Sequence, residues 1–240
     1  MEGWVMYNEQ NYDVGNLNRS NSLAACMTGV YWWMTFALLV SGLSAYMVGT
    51  SEELVKIFVK NQAVFLILAI VEIVMVIGIT AGINKLSAAT ATALFILYAA
   101  INGLTLSVIF LAYTMSSIAL TFAVTAGTFG VMAFIGTVTR KDLSGFGSFF
   151  MMALFGLIIA SVVNIFWANS TLYWICTYAG VLIFVGLTAY DAQKIKNMYI
   201  QMGTDDPEVS RKIAVLGALT LYLDFVNLLL YLLRIFGRRR

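Results

Sequence analysis

The chain has 240 residues, of which 61% are hydrophobic and only 11% are charged, with a formal net charge of +2. Soluble domains carry about 25% charged residues, so this composition excludes an ordinary soluble protein and favours a membrane protein. The small net charge, with no basic patch among aromatic residues, excludes nucleic acid as a partner. Histidine is absent, which removes the usual catalytic base and zinc ligand. We therefore predict that the chain is not an enzyme; a membrane aspartyl protease pair is the one catalytic alternative left open.

In chain order, residues 1–22 form a polar segment with one basic residue, Arg19, and we predict a short N-terminal tail. It lacks the basic start and short apolar core of a signal peptide. Seven apolar runs follow, each long enough to cross about 30 Å of hydrocarbon. They cover residues 23–48, 64–83, 88–113, 118–138, 146–167, 172–190 and 213–236. The sequence predicts an all-α integral membrane fold, with residues 23–240 forming a single seven-helix domain.

The basic residues indicate how this bundle is oriented. One side would carry eight of them: Arg19, Lys85, Arg140, Lys141, Lys194, Lys196, Arg211 and Lys212. The links on the other side hold only Lys56 and Lys60, so the first side, with the N-terminus, should be cytoplasmic. Seven full spans would place residues 238–240, all arginine, on the side opposite the cytoplasm, which contradicts the rule that basic residues collect on the cytoplasmic side. A last run that re-enters and returns is the alternative; we favour seven spans.

The last apolar run contains a carboxylate at its centre, Asp224. Small and polar residues are spaced 3, 4, 3 and 4 around it and so share one helix face. They are Gly217, Thr220, Asp224, Asn227 and Tyr231. This face should turn inward, either as an ion path that includes Thr220 and Asn227 or as polar glue between helices. Because a carboxylate in hydrocarbon is costly, Asp224 is a functional candidate.

A second aspartate, Asp191, closes the preceding run. No helix breaker follows before Gly203, so this helix should continue to about Met202, with Asp206 and Pro207 starting the next helix. An antiparallel hairpin would then bring Asp191 near Asp224. Two carboxylates in one dry site cannot easily both ionise, so the pair would share a proton and act as a pH sensor or gate.

Glu72, midway along the second run, is a third acid in the apolar segments. It could line the ion path, and the three acids Glu72, Asp191 and Asp224 are candidate transient calcium ligands. A protonated glutamate bonded to a neighbouring helix is the alternative. Lys85 could neutralise one of the acids in the path, or it could be an interfacial lysine that extends to the headgroups. Gly78 and Gly82 form a small-xxx-small pair, which predicts close helix packing.

Four segments of the chain resemble the transmembrane Bax inhibitor motif family, of the Bax inhibitor-1 type. They are GLTAYDAQKI at 186–195, LYLDFVNL at 221–228 running on to LRIFG at 233–237, TRKDLS at 139–144, and YAAINGLTLS at 98–107. The match covers nearly the whole chain after the tail, and the short tail and links are similar to the bacterial members.

This resemblance implies a seven-helix bundle with the last helix central. It implies a pH-sensitive calcium leak channel with Asp191 and Asp224 as sensor, calcium as the permeating ion and no tightly bound cofactor. Glu72 matches the family's acid in the second helix. Lys85 stands near the position at which the family has an arginine, and a lysine cannot form the bidentate contact that an arginine can. The family also contains cell-death suppressors and a bacterial modulator of a membrane protease. The alternative is therefore a non-conducting regulator that binds a membrane protease or cell-death factor. For both functions we expect the protein in a bacterial inner membrane.

Overall fold

The computed structural model describes residues 2–202 and 206–240, with side chains described from residue 21 onward. Within these residues the chain is all α-helix, with no strand. The helices are α1 (Glu2–Thr50), α2 (Glu52–Phe58), α3 (Gln62–Gly82), α4 (Ala88–Leu106), α5 (Val108–Ala112), α6 (Met115–Val138), α7 (Ser144–Trp167), α8 (Ser170–Met202) and α9 (Pro207–Phe236).

Seven segments are long and apolar enough to span a membrane, as predicted. They are Asn21–Thr50 of α1, α3, the combined α4 and α5 (Ala88–Ala112), α6, α7, α8 and α9. The predicted limits fall within a few residues of these, except at α8, where the apolar run ends before the helix does. Two features were not predicted: α2 in the first link, and the interruption at Ser107 that separates α4 from α5.

Short polar residues set the helix starts. Ser51, Asn61 and Ser87 each accept a hydrogen bond from a backbone N–H three residues on. The cap predicted at Asp206 is confirmed, because its side chain accepts from the Glu208 N–H and Pro207 takes the first turn of α9. The predicted continuation of α8 to Met202 is confirmed as well.

The last helix occupies the centre of the bundle. Of the most apolar stretch of α9, 72% is buried, against 6% in each of α3 and α7, whose large apolar side chains face outward. Helix α9 packs against α1, α4, α6 and α8. It is continuous over 30 residues, about 45 Å, so the alternative of a re-entrant last run is wrong. The arginines after Phe236 therefore lie at the end of the bundle opposite Pro207.

The close packing predicted at Gly78 and Gly82 is wrong. A methyl group at Gly78 would meet nothing within 4 Å, and one at Gly82 would meet only Leu86 in the following turn. Close approaches occur instead at Gly103, which packs on Ser41 of α1, and at Gly136, which packs on the backbone of α8 at Ala189. Helix α3 lies at the periphery, so its small residues face outward rather than another helix.

Candidate functional site

The two predicted aspartates meet between α8 and the central helix. Asp191 and Asp224 are 8% and 5% exposed, and their side chains form a hydrogen bond with each other. A hydrogen bond between two carboxyl groups needs a proton on one of them, since an ionised carboxylate only accepts. We call these two residues the aspartate pair. One shared proton would satisfy this bond.

One oxygen of Asp224 is unusual. Its Oδ2 atom is buried and has no hydrogen-bond partner among the described residues. Buried acceptors are nearly always paired, and a carboxylate oxygen left alone is costly. This atom is therefore a natural contact for a water molecule or a cation that reaches the pair.

Lys194, one helical turn after Asp191, is the basic residue whose charge acts on both carboxyl groups. Its side chain is exposed, and its Nζ lies 5.8 Å from the centroid of the Tyr190 ring. Lys85, which the sequence offered as a neutralising cation, lies exposed in the turn between α3 and α4. The structure thus supplies a cation beside the pair from within α8.

A cavity of about 280 Å³ opens on α8 at the Pro207 end of the bundle. Its lining residues are Ser144, Tyr190, Gln193, Lys194, Asn197, Met198 and Gln201. We call it the Lys194 cavity. Most of its lining residues are polar in type, and Tyr190, Gln193 and Lys194 come from the same turns of α8 as Asp191, which is not itself in the lining.

Gln193 fixes one wall of this cavity, and sequence reasoning missed it. Its Nε2 donates to the Lys141 carbonyl at 2.8 Å, and its Oε1 accepts from the Leu143 N–H at 2.7 Å. The carboxamide thereby clamps the α6–α7 link onto α8, two residues beyond Asp191. The sequence did carry one signal for Gln193. It lies in the segment 186–195, where the predicted apolar run passes into the polar link.

The polar face predicted on the last helix turns toward α8. Gly217 packs on Ile195, and Tyr231 fills the notch at Gly180 and stacks on Phe184 with ring centroids 5.8 Å apart. Two further members of this face bond to the backbone of α9 itself: Thr220 donates to Leu216 and Asn227 to Leu223.

Glu72 lies in a second polar network. Its Oε1 accepts from Thr105 Oγ1 at 2.7 Å and its Oε2 from Asn102 Nδ2 at 3.0 Å. Asn102 Oδ1 in turn accepts from the Tyr222 hydroxyl at 2.8 Å, and that hydroxyl lies 2.6 Å from Ser41 Oγ. The network therefore joins α3, α4, α9 and α1 through hydrogen bonds between helices, the arrangement proposed as the alternative for Glu72.

The two networks occupy opposite sides of the central helix. Tyr222 precedes Asp224 by two residues, which places their side chains about 200° apart around α9. Within the described part of the chain, no group of three or more acidic, cysteine or histidine side chains is arranged to hold a metal ion. Glu72 therefore does not join the aspartate pair in a fixed three-carboxylate site, and the transient calcium contacts stay a prediction.

Comparison with known proteins agrees with this architecture. The family described as inhibitors of apoptosis-promoting Bax1 matches residues 23–240. The chain belongs to the Bax inhibitor-1 family. Among bacterial relatives, the inner membrane protein YbhL of Escherichia coli is 50% identical over 218 residues, which are 91% of this chain and 93% of YbhL.

Two further relatives cover a similar length. A protein of Borreliella burgdorferi is 45% identical over 88% of this chain and 90% of its own. A protein of Rickettsia prowazekii is 40% identical over 94% of both chains. The family membership confirms the resemblance read from the four sequence segments and places the aspartate pair in a Bax inhibitor-1 bundle.

Proposed function

We propose that this Bax inhibitor-1 family protein is a pH-sensitive calcium leak channel whose gate is the aspartate pair. The observation that carries the proposal is the hydrogen bond between Asp191 and Asp224, buried at the contact between α8 and the central helix. A titratable bond at this position links the protonation of two side chains to the packing of the helix around which the bundle is built.

Loss of the shared proton changes the forces between α8 and α9. The hydrogen bond is replaced by two like charges in a site of low dielectric constant, where their repulsion is strong. Both ionised carboxylates then need water or a cation. The buried Oδ2 of Asp224, which has no partner among the described residues, would then need such a ligand, and oxygen ligands suit Ca²⁺.

The proposed ion path runs along the α8–α9 contact. It enters through the Lys194 cavity, passes the aspartate pair and follows the face of α9 that carries Thr220 and Asn227. In the present structure Tyr231, seated against Gly180 and Phe184, fills the contact on the Phe236 side of the pair. We therefore assign this structure to a closed state.

Glu72 and Lys85 have less direct roles in this scheme. Glu72 holds α3 to α4 through Thr105 and Asn102, and each of its oxygens accepts one of these bonds and keeps further acceptor capacity for an ion. Lys85 lies at the mouth of the bundle, where its charge acts on ions in the adjoining water. Both remain candidates for the ion path on the strength of the family pattern.

The orientation follows from charge. The Pro207 end of the bundle carries Arg140, Lys141, Lys194 and Lys196, so we place it in the cytoplasm together with the N-terminus. The protein would lie in a bacterial inner membrane, where the name of the E. coli relative places that protein.

Calcium flux into proteoliposomes across about pH 6 to pH 8 tests the proposal. Wild-type protein should pass Ca²⁺ at a rate that depends on pH, and Asp224→Asn should remove that dependence. If wild-type protein passes no Ca²⁺ and instead co-purifies with one stoichiometric membrane protein, the channel proposal fails. The alternative of a non-conducting regulator of a protease or cell-death factor would then be favoured.

A further inference from the structure

Arginines are concentrated at the Phe236 end of the central helix. Four of the last seven residues are arginine, at positions 234, 238, 239 and 240. This is the end of the bundle that the positive-inside rule leaves poor in basic residues. This end of the central helix therefore carries a local concentration of positive charge.

The segment 237–240 is tied to the bundle by its backbone. The Arg238 carbonyl accepts from Thr114 N at 3.0 Å, and Arg240 N donates to the Ala112 carbonyl at 3.1 Å. Arg238 N also donates to Ser117 Oγ at 2.9 Å. These bonds hold the segment against the α5–α6 turn and fix the position from which the Arg239 side chain extends.

A cavity of about 600 Å³ lies between this segment and the α7–α8 turn, and we call it the Arg234 cavity. The side chains in its lining include Arg234, Arg239, Asn164, Asn169, Tyr173 and Trp174. The charged members are two arginines, and every other member is neutral. The cavity is therefore positive, with no acidic side chain in its lining.

Arg234 is held in place by aromatic rings rather than by an acid. Its guanidinium carbon lies 5.5 Å from the Tyr173 ring centroid and 4.8 Å from that of Tyr231. These contacts are to aromatic rings, which supply no conventional hydrogen-bond acceptor for the guanidinium N–H groups. Among the described side chains, none accepts a hydrogen bond from it. The half-buried Arg234 therefore has a donor fork in a cavity that lacks a protein anion.

The opposite wall also presents donors. Asn164 Oδ1 accepts from the Asn169 N–H, and Asn169 Oδ1 accepts from the Leu172 N–H, both at 3.0 Å. With their carbonyl oxygens engaged in this way, the two carboxamides offer their NH₂ groups to a ligand. Helix α8 begins at Ser170, so the positive end of a 33-residue helix borders the same cavity.

Exposed tryptophans give the depth of the cavity in the bilayer. Trp167 and Trp174, which flank the α7–α8 turn, are 78% and 42% exposed. Tryptophan collects at the level of the lipid headgroups. We propose that the Arg234 cavity binds the phosphodiester of an anionic phospholipid headgroup. Arg234 and Arg239 would clamp the phosphate oxygens, since the planar guanidinium fork matches phosphate geometry.

Native mass spectrometry of the detergent-solubilised full chain tests this site, with phosphatidylglycerol and phosphatidylcholine as probes. Wild-type protein should retain phosphatidylglycerol in preference to phosphatidylcholine. The double variant Arg234→Gln, Arg239→Gln should bind phosphatidylglycerol at least about tenfold more weakly, because two charge-assisted contacts are lost. Arg140→Gln removes an exposed charge at the opposite end of the bundle and should leave the preference unchanged.

Two results would overturn the proposal. Equal loss in Arg140→Gln and in the double variant would show a general effect of net charge rather than a site. Displacement of phosphatidylglycerol by inorganic phosphate at equal concentration would assign the site to a soluble anion instead of a lipid. If the double variant does not fold, Arg239→Gln alone serves, because its side chain is exposed and its tertiary bonds are made by the backbone.

Discussion

Asp224→Asn changes one atom of the aspartate pair and removes the charge that the gate depends on. The introduced carboxamide has nearly the size of the carboxyl group it replaces, and its NH₂ group can donate to Asp191 as the protonated acid does. The contact between α8 and α9 should therefore keep its shape while losing its shared proton. The prediction is a folded protein whose calcium flux no longer varies with pH.

Coulomb's law gives the order of magnitude for two carboxylates in contact. Two carboxylates with charge centres about 4 Å apart repel by about 4 kcal/mol at an effective dielectric constant of about 20. This repulsion corresponds to about a thousandfold change in the equilibrium between molecules in which α8 and α9 are separated at the pair and molecules in which they are packed there. Because one shared proton controls it, the ratio changes by at most about tenfold per pH unit. Wild-type flux should therefore vary by up to about 100-fold between about pH 6 and pH 8.

The assay is calcium entry into proteoliposomes loaded with a fluorescent indicator, at matched protein content. Asp191→Asn should give the same flat profile, and the double variant should resemble either single variant because the pair acts as a unit. Asp142→Asn is the matched control, since Asp142 is an exposed aspartate in the α6–α7 link and should leave the wild-type slope intact. A full pH slope in Asp224→Asn, with correct folding, would refute the shared-proton gate.

Three further predictions concern the framework around the pair. Gly136→Ala should lower the unfolding free energy by about 1–3 kcal/mol, because its methyl group would collide with the α8 backbone two residues before Asp191. Tyr222→Phe should lower it by about 1–3 kcal/mol, because buried Ser41 and Asn102 lose their common partner. Gln193→Ala should release the α6–α7 link and accelerate hydrogen exchange of the Leu143 amide, which Gln193 now binds.

Each of these has a matched control. A methyl group at Gly130, on an outward face of α6, meets nothing within 4 Å, so Gly130→Ala should be neutral or slightly stabilising in chemical unfolding in micelles. Tyr178→Phe alters a tyrosine that is largely exposed, and its unfolding should match wild type. Gln201→Ala removes an exposed glutamine from the same cavity as Gln193. If a variant and its control change the measured stability or exchange rate equally, the contact proposed for that variant is not the cause of the change.

The bundle itself was predictable because a bilayer imposes strict rules. Only long apolar segments can cross hydrocarbon, so seven runs, their short links and the cap at Asp206 follow from composition and local chemistry. The antiparallel α8–α9 hairpin also follows, and with it the meeting of Asp191 and Asp224. The inward turn of the polar face on α9 was predicted from spacing alone, since a lipid-facing helix does not concentrate such residues.

Other contacts required the tertiary structure. Glu72, Asn102 and Tyr222 come from three helices, and nothing in their local sequence indicates that they form one network on the far side of α9 from Asp224. The small pair at Gly78 and Gly82 satisfied a packing pattern, yet α3 faces outward there. Hydropathy does not distinguish a glycine facing lipid from one facing a helix, because both surroundings are apolar.

The sequence by itself determined the class of protein, its spans and the two candidate aspartates. Burying charge in hydrocarbon is so costly that charged residues are rare in the spans, and the few that occur stand out in the sequence. Only the tertiary structure decided that Lys85 is not the cation near the two aspartates. Lys85 is separated from the pair by more than a hundred residues and lies in an exposed turn, whereas Lys194 lies one turn from Asp191 on the same helix. It also decided that α9 passes through the bundle without a break and carries its arginines to the opposite end. Those outcomes depend on how helices rotate and stack against one another, which the packing of all seven determines together.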